Sequence, residues 1–346
     1  MSSLPFAKAL EPTRELFKRL TTIRPKEAKL TVGLDLGSTC VKVIALGARK
    51  GASGLRPVVG QGLVALQEGQ DVDASEAIKA AVSTLSVPVR TVNIAVSGQW
   101  VIMRIVEMPT LKPAEMKQAL PFEAQRYLPF NIQDVIIDGA ILGPADANKS
   151  WVLIVACKKE LIERRIDWAK RAGLEVALID VDALALANAF LASGNGHDAS
   201  STRALINVGA QQTNLVIFRG DTPYLVRDIP WGGDKLARNA AEQLGLEVAA
   251  LNKELSEGTA PSAELQGAIK AVSEALVTEL QLSFDYFENR FGQPPEELLV
   301  SGGLSQYGPF IDGLKNHLTQ SIKLWVPVKE LSGQFAIAFG LALRTE

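Results

Sequence analysis

Val32-Gly33-Leu34-Asp35-Leu36-Gly37-Ser38-Thr39-Cys40-Val41-Lys42-Val43-Ile44-Ala45-Leu46 sets two apolar runs on either side of a turn of small polar residues and glycine. Apolar runs bounded in this way read as a β-hairpin with a tight tip. Glycine lets the backbone come close to a ligand, and successive N–H groups in such a turn form an anion-binding nest. Asp35 stands at the end of the first strand, where a carboxylate can hold a hydrated divalent cation. Lys42 lies on the return strand, where its ammonium can meet a phosphate. By itself the pattern is also that of an ordinary tight turn.

The plan occurs twice. Ala204-Leu205-Ile206-Asn207-Val208-Gly209-Ala210-Gln211-Gln212-Thr213-Asn214-Leu215-Val216-Ile217-Phe218 repeats it, with Asn207 and Gly209 in the places of Asp35 and Gly37, 172 positions later. Two such hairpins half a chain apart predict two related lobes facing a shared cleft. Two more glycine junctions follow: Pro230-Trp231-Gly232-Gly233-Asp234, before a helix, and Val300-Ser301-Gly302-Gly303-Leu304, after a short strand. A glycine turn at a helix N-terminus is ready for an anion. Strand ends of this kind are where nucleotides bind in sheet proteins.

The bulk properties narrow the class. A chain of 346 residues, 47% hydrophobic and 21% charged, fits about two packed domains. Its formal net charge of −2 offers no basic field for nucleic acid. Cys40, Cys157, His197 and His317 are the only cysteines and histidines, which argues against a zinc site or a disulfide framework. The best bilayer-crossing candidate, residues 176–192, is interrupted by Asp180 and Asp182. The N-terminus lacks a signal-peptide layout, so the expected location is the cytoplasm.

Taken in order, residues 1–29 form an extension in which Leu16, Phe17, Leu20 and Ile23 have roughly helical spacing among Arg14, Lys18 and Arg19. It reads either as a basic amphipathic helix for a membrane or partner, or as a frayed extension. Residues 30–97 give the hairpin, a strand over 58–66, a helix over 74–85 and a strand over 92–96. Residues 98–176 read as an inserted α+β subdomain: a strand over 100–108, a helix from Pro113, strands over 135–142 and 151–157, and a helix over 159–172 closed by Gly173. Pro121 is expected to bend or break the helix from Pro113, with the pattern resuming over 123–128. Residues 177–203 return to the first lobe through an Ala/Leu-rich helix over 182–191 and a polar loop in which His197 is a solvated residue. The second lobe spans 204–334, with helices over 235–244, 247–255, 262–291 and 309–318 and a last strand over 322–327. In the long helix Ile269, Val272, Leu276, Leu280, Phe284 and Phe287 form a core-facing stripe. A closing helix over 335–344 returns to the first lobe. Gly340 inside it costs about 1 kcal/mol in helix propensity relative to Ala, which close packing against another helix would explain.

In order, Leu34-Asp35-Leu36-Gly37-Ser38-Thr39, Ile206-Asn207-Val208-Gly209, Val300-Ser301-Gly302-Gly303-Leu304 and Ala336-Ile337-Ala338-Phe339-Gly340 resemble the actin/Hsp70/sugar-kinase ATPase superfamily. Within it the resemblance is closest to the PilM family of type IV pilus assembly, relatives of the cell-division protein FtsA. Glu123-Ala124-Gln125-Arg126-Tyr127-Leu128-Pro129-Phe130 is the most family-specific stretch, supported by Ala95-Val96-Ser97-Gly98 and Ala169-Lys170-Arg171-Ala172-Gly173-Leu174.

The resemblance implies an α/β, actin-like two-lobed fold around a site for ATP or ADP with Mg²⁺. Asp35 would order the Mg²⁺ water shell, Gly37, Ser38 and Thr39 would cradle phosphates, and Lys42 would neutralise them. Asn207 and Gly209 would close from the second hairpin, while Gly232, Gly233, Gly302 and Gly303 would face the phosphate–adenosine side. A groove between the insertion and the first lobe would take the N-terminal cytoplasmic peptide of a PilN-like inner-membrane protein, placing the chain at the cytoplasmic face of that membrane. Pilus assembly ATPases and self-association are further partners the resemblance raises.

Two positions depart from the superfamily pattern. Asn207 stands where Asp is usual, which lowers cation affinity and water activation and predicts binding with slow or absent hydrolysis. Ala237 stands where this group commonly has Thr. A small sugar kinase, which would need a carboxylate at position 207, and an FtsA-like filament protein, which ends in an amphipathic helix not seen before Arg344-Thr345-Glu346, are the alternatives.

Overall fold

In the computed structural model, residues 30–49, 55–66, 73–194, 201–249, 251 and 262–345 are described. The extension with Leu16 and Phe17, the His197 loop and most of the expected 247–255 helix lie outside them. The chain divides into two units. The first holds Met1–His197, Asp221–Val226 and Ile337–Glu346, and the second holds Asp198–Gly220 and Arg227–Ala336.

The first unit opens with strands β1 (Thr31–Leu36) and β2 (Cys40–Leu46), followed by β3 (Val58–Ala65), helix α1 (Ser75–Ser83) and β4 (Thr91–Val96). It continues with β5 (Val101–Pro109), α2 (Pro113–Ala124), β6 (Val135–Asp146), β7 (Lys149–Lys158), α3 (Lys159–Arg171), β8 (Glu175–Val181) and α4 (Asp182–Ala192). One sheet has the order β3-β2-β1-β4-β8, and a separate three-stranded sheet has the order β5-β7-β6. β1 runs antiparallel to β2 and parallel to β4. Leu34, Val43, Ile78 and Ile94 centre the core of the larger sheet. Met116, Leu120, Val152 and Ile154 centre that of the smaller one. α3 follows the small sheet in sequence but packs with the large one, where Ala169 and Trp168 join its core.

One local expectation is corrected, and one strand that was not expected is found. The break expected at Pro121 does not occur, because α2 runs through it to Ala124. Proline removes one bond, to the carbonyl of Lys117 one turn back. Buried Met116, Leu120 and Ala124 pin the helix to the small sheet on both sides of that gap. The pattern beyond it closes as a turn, Tyr127 N–H donating to Ala124 C=O at 2.9 Å, and not as more helix. The apolar run 176–192, read as helical only from residue 182, splits into β8 and α4 at Asp182. Among the described residues no helix is long and apolar enough to cross a membrane.

The second unit repeats the plan. Strands β9 (Thr202–Val208) and β10 (Thr213–Arg219) form its hairpin, followed by β11 (Thr222–Ile229), of which only the part from Arg227 onward is counted in this unit, α5 (Gly233–Leu244), α6 (Ala263–Phe291), β12 (Glu297–Gly302), α7 (Gly308–His317) and β13 (Ser321–Leu324). The sheet order is β11-β10-β9-β12-β13, with β9 antiparallel to β10 and parallel to β12. α6 starts at Ser262, whose Oγ accepts from Leu265 N–H at 3.1 Å. Its predicted stripe, Ile269 to Phe287, is buried throughout. A final helix, α8 (Ala336–Leu343), returns to the first unit from Ile337 onward. There a Cβ on Gly340 would overlap the Ala185 carbonyl oxygen of α4, so Gly340 marks the close helix contact that its sequence position implied.

Candidate functional site

The first hairpin places its two charged residues directly opposite each other. Asp35 and Lys42 are register partners, and Lys42 Nζ lies 3.0 Å from Asp35 Oδ2. Both are largely buried. Burial works against the lysine charge, but the Asp35 carboxylate and Cys40 outweigh it and raise the Lys42 pKa. Ser38 and Thr39 stand exposed at the tip. Among the described residues their N–H groups have no backbone acceptor. A Cβ on Gly37 would lie 2.9 Å from Cys40 O and 3.6 Å from Lys42 Nζ, so its lack of a side chain keeps the turn tight against the lysine.

Two further charged residues, neither among the expected site residues, are linked to this turn. Arg165 of α3 donates from Nη1 to Leu36 O at 3.1 Å and to Ala95 O at 2.9 Å, joining the ends of β1 and β4. Its Nε is buried with no hydrogen-bond partner among the described residues. Burial lowers its pKa, opposed by the charges of Asp182 and Asp35. Asp182, 8% exposed, begins α4. A strand-end aspartate opening a helix was a legible signal for it. Arg165 gave none, because it sits in a helix with other Arg and Lys residues.

In the second unit the same register pairs Asn207 with Asn214. Asn207 Nδ2 donates to Asn214 Oδ1 at 3.3 Å, and Asn214 Nδ2 to Asp228 Oδ1 at 2.8 Å. A neutral amide pair thus replaces the Asp–Lys ion pair. Gly209, Gly232 and Gly302 converge on the end of β9. Gly209 N–H donates to Gln212 O at 3.0 Å, while Gly233 N–H donates to Gly209 O at 2.9 Å and Asp234 N–H to Ala210 O at 2.8 Å. A Cβ on Gly232 would meet Gly209 O at 2.6 Å. The Gly232-Gly233 turn is therefore docked on the second hairpin turn, with these amides already engaged. Gly302, at φ +93°, lies against the Val208 backbone, whereas Gly303 has open space where a Cβ would point.

Among the described residues no group of three or more His, Cys, Asp or Glu could hold a metal ion. The first turn brings together the groups a nucleotide carrying its own cation would need: Asp35 would face the cation's water shell, the exposed Ser38 and Thr39 amides would meet phosphate, and Lys42 would stand beside them.

A second feature is a cavity of about 310 Å³ wholly within the first unit, between the three-stranded sheet and the β8–α4 corner. Leu142, Leu153, Val155 and Leu184 contribute its apolar wall, and Ile136, 49% exposed, is among its lining residues. The Cys157 thiol in the lining is pushed up to about 11 by burial. Asp180 supplies a buried polar point, accepting from Val181 N–H at 2.8 Å and Asn188 Nδ2 at 3.4 Å, with Arg344 Nη1 at 3.5 Å.

Two sheets of one topology, each opened by a small-residue hairpin, with a three-stranded insertion in the first unit, define an actin-like fold. The chain belongs to the family described as type IV pilus assembly protein PilM, which it matches over residues 33–346. Among solved structures it is similar to a PilM-PilN type IV pilus biogenesis complex, with 23% identity, 92% of this chain and 98% of that chain covered, and a TM-score of 0.78. It is also similar to the ethanolamine utilization protein EutJ from Carboxydothermus hydrogenoformans, with 13% identity, 97% and 99% covered, and a TM-score of 0.55.

Proposed function

We propose that the protein is a nucleotide-binding scaffold of the type IV pilus assembly platform. In this reading it sits at the cytoplasmic face of the inner membrane by holding the N-terminal peptide of a PilN-like membrane protein. The observation that carries the partner reading is the cavity between the small sheet and the β8–α4 corner, apolar along its walls with Asp180 as one polar anchor. Such a shape suits an extended apolar peptide with one hydrogen-bond donor. The experiment is a fluorescence-anisotropy titration with a labelled synthetic peptide covering the cytoplasmic N-terminus of the PilN-like protein. Ile136→Glu should weaken binding at least 10-fold with an unchanged melting midpoint. Equal binding by both proteins would remove the groove from the proposal.

For the nucleotide, the chain's own residues divide the work. Ser38 and Thr39 offer unengaged amides, Lys42 fixes a positive charge, and Asp35 orients water on the cation. Mg²⁺-ATP, when bound, supplies a phosphoanhydride whose cleavage needs an oriented water. Asn207 keeps an acceptor oxygen but brings no charge to activate that water, so binding outlasts turnover. ATP and ADP should each raise the melting midpoint, with Asn207→Asp increasing the slow hydrolysis. Substantial hydrolysis by the unmodified protein that Asn207→Ala abolishes would contradict this division.

A further inference from the structure

Arg165 is a half-buried cation, its Nε sealed from solvent, to which the phosphate turn assigns no direct contact. Its neighbours on α3, Arg164, Lys170 and Arg171, keep their residues exposed. Arg165 alone among them reaches inward, to the carbonyls of Leu36 and Ala95. A link between two carbonyls does not need a charge. The same unit makes one with a neutral amide, Asn93 Nδ2 donating to Leu341 O at 2.8 Å and Arg344 O at 2.9 Å. Taking even part of a guanidinium out of water carries a desolvation penalty, so a charge retained here calls for a reason beyond the link.

Two features of the surroundings supply one. First, Leu36 C=O belongs to the peptide plane that contains Gly37 N–H. A trans peptide holds the two antiparallel, so anchoring the carbonyl fixes the direction of the amide that opens the turn. Second, Asp35 and Asp182 are the carboxylates whose charges act on Arg165. With Lys42 these four groups sum to zero, and Arg164, which also acts on Arg165, stands exposed on the solvent side where water and salt screen it. Without Arg165 they would carry one net negative charge behind a turn meant for phosphate, where like charges repel.

We propose that Arg165 is a positioning residue of the nucleotide site. It aims the Gly37 amide through Leu36 and offsets Asp35 and Asp182, so that a polyphosphate is accepted in front of them. This rests on the nucleotide reading above. Arginine suits the role because one terminal nitrogen, Nη1, reaches both carbonyls and its charge persists in a partly buried place.

The test is a titration of the full chain with a fluorescent ATP analogue and Mg²⁺, with the melting midpoint recorded for each variant. Arg165→Gln keeps donors and loses the charge, and should weaken binding at least 10-fold. Arg165→Lys keeps the charge, and should stay within about 3-fold of the original protein. Adding Asp182→Asn to Arg165→Gln removes the uncompensated carboxylate, and should recover most of the lost affinity. Unchanged binding by Arg165→Gln overturns the proposal. So does a loss shared by all three variants in step with their melting midpoints, which is what a merely structural tie gives. The Asp182→Asn single variant covers the case in which Arg165→Gln does not fold. It adds net positive charge and should tighten binding, and weaker or equal binding overturns the proposal. Absence of binding by the original protein would instead defeat the nucleotide reading itself.

Discussion

Asp180 keeps a carboxylate in a wall of mostly apolar side chains, and this gives stability a pH dependence of definite sign. Burial raises its pKa above the ordinary aspartate value, although Arg344 and the Val181 amide oppose the shift. A carboxyl with a raised folded-state pKa contributes stability that is fully present below the unfolded value and is lost as pH rises through the folded value. Asp180→Asn has no such proton to lose. From about pH 4 upward the urea midpoint of the original protein should therefore fall relative to that of Asp180→Asn. Parallel profiles would show that Arg344 fully compensates the burial. At Gly340 the sign is set by space. On an exposed helix, Gly→Ala gains about 1 kcal/mol. Here the added methyl runs into the Ala185 carbonyl, so Gly340→Ala should destabilise by about 1–3 kcal/mol in chemical denaturation. That contact was legible from the sequence because a helix-interior glycine is a local anomaly. Arg165 was not legible. Nothing local separates it from Arg164, and only the arrival of Leu36 and Ala95, 129 and 70 positions away in sequence, gives it a role.

At the scale of elements, both hairpins could be read directly, because alternation of apolar runs with a small-residue turn is a short-range signal. β8 could not, because its apolar residues run without a break into those of α4, and burial on two sides erases the period that separates strand from helix. In α2 only the expected break failed, for the opposite reason. The local rule at Pro121 was sound, but tertiary packing of Met116, Leu120 and Ala124 overrode it. The missing bond leaves a margin to recover. Pro121→Ala restores an N–H toward Lys117 O while giving the unfolded chain more freedom, and the balance should be a gain of about 1–2 kcal/mol, read from the denaturation midpoint. A loss would show that the proline ring itself packs better than alanine.

At the scale of the molecule, the duplicated sheet order explains why the same hairpin appears 172 residues apart. The two copies have diverged in charge, Asp35–Lys42 in one and Asn207–Asn214 in the other. The glycine junctions were legible as close backbone approaches. That Gly232 and Gly233 brace the Gly209 turn was not, since their spacing in sequence fits a ligand and a neighbouring loop equally well.

The return of α8 to the first unit ties Thr31 to Ala342 across 311 positions. Gly33 lies so close to Ala338 that a Cβ there would strike its carbonyl. During synthesis β1 must therefore wait for residues made much later. At 5–20 residues per second the interval is roughly 15–60 s. Until then the face of the first sheet that α8 covers stays open to water and to chaperones, whereas the second unit can complete its own sheet earlier. Nascent chains stopped at Gln334 should show a protease-sensitive first unit beside a resistant second one, and uniform resistance would mean that α8 is dispensable for the first sheet. The order of maturation is thus the reverse of the order of translation.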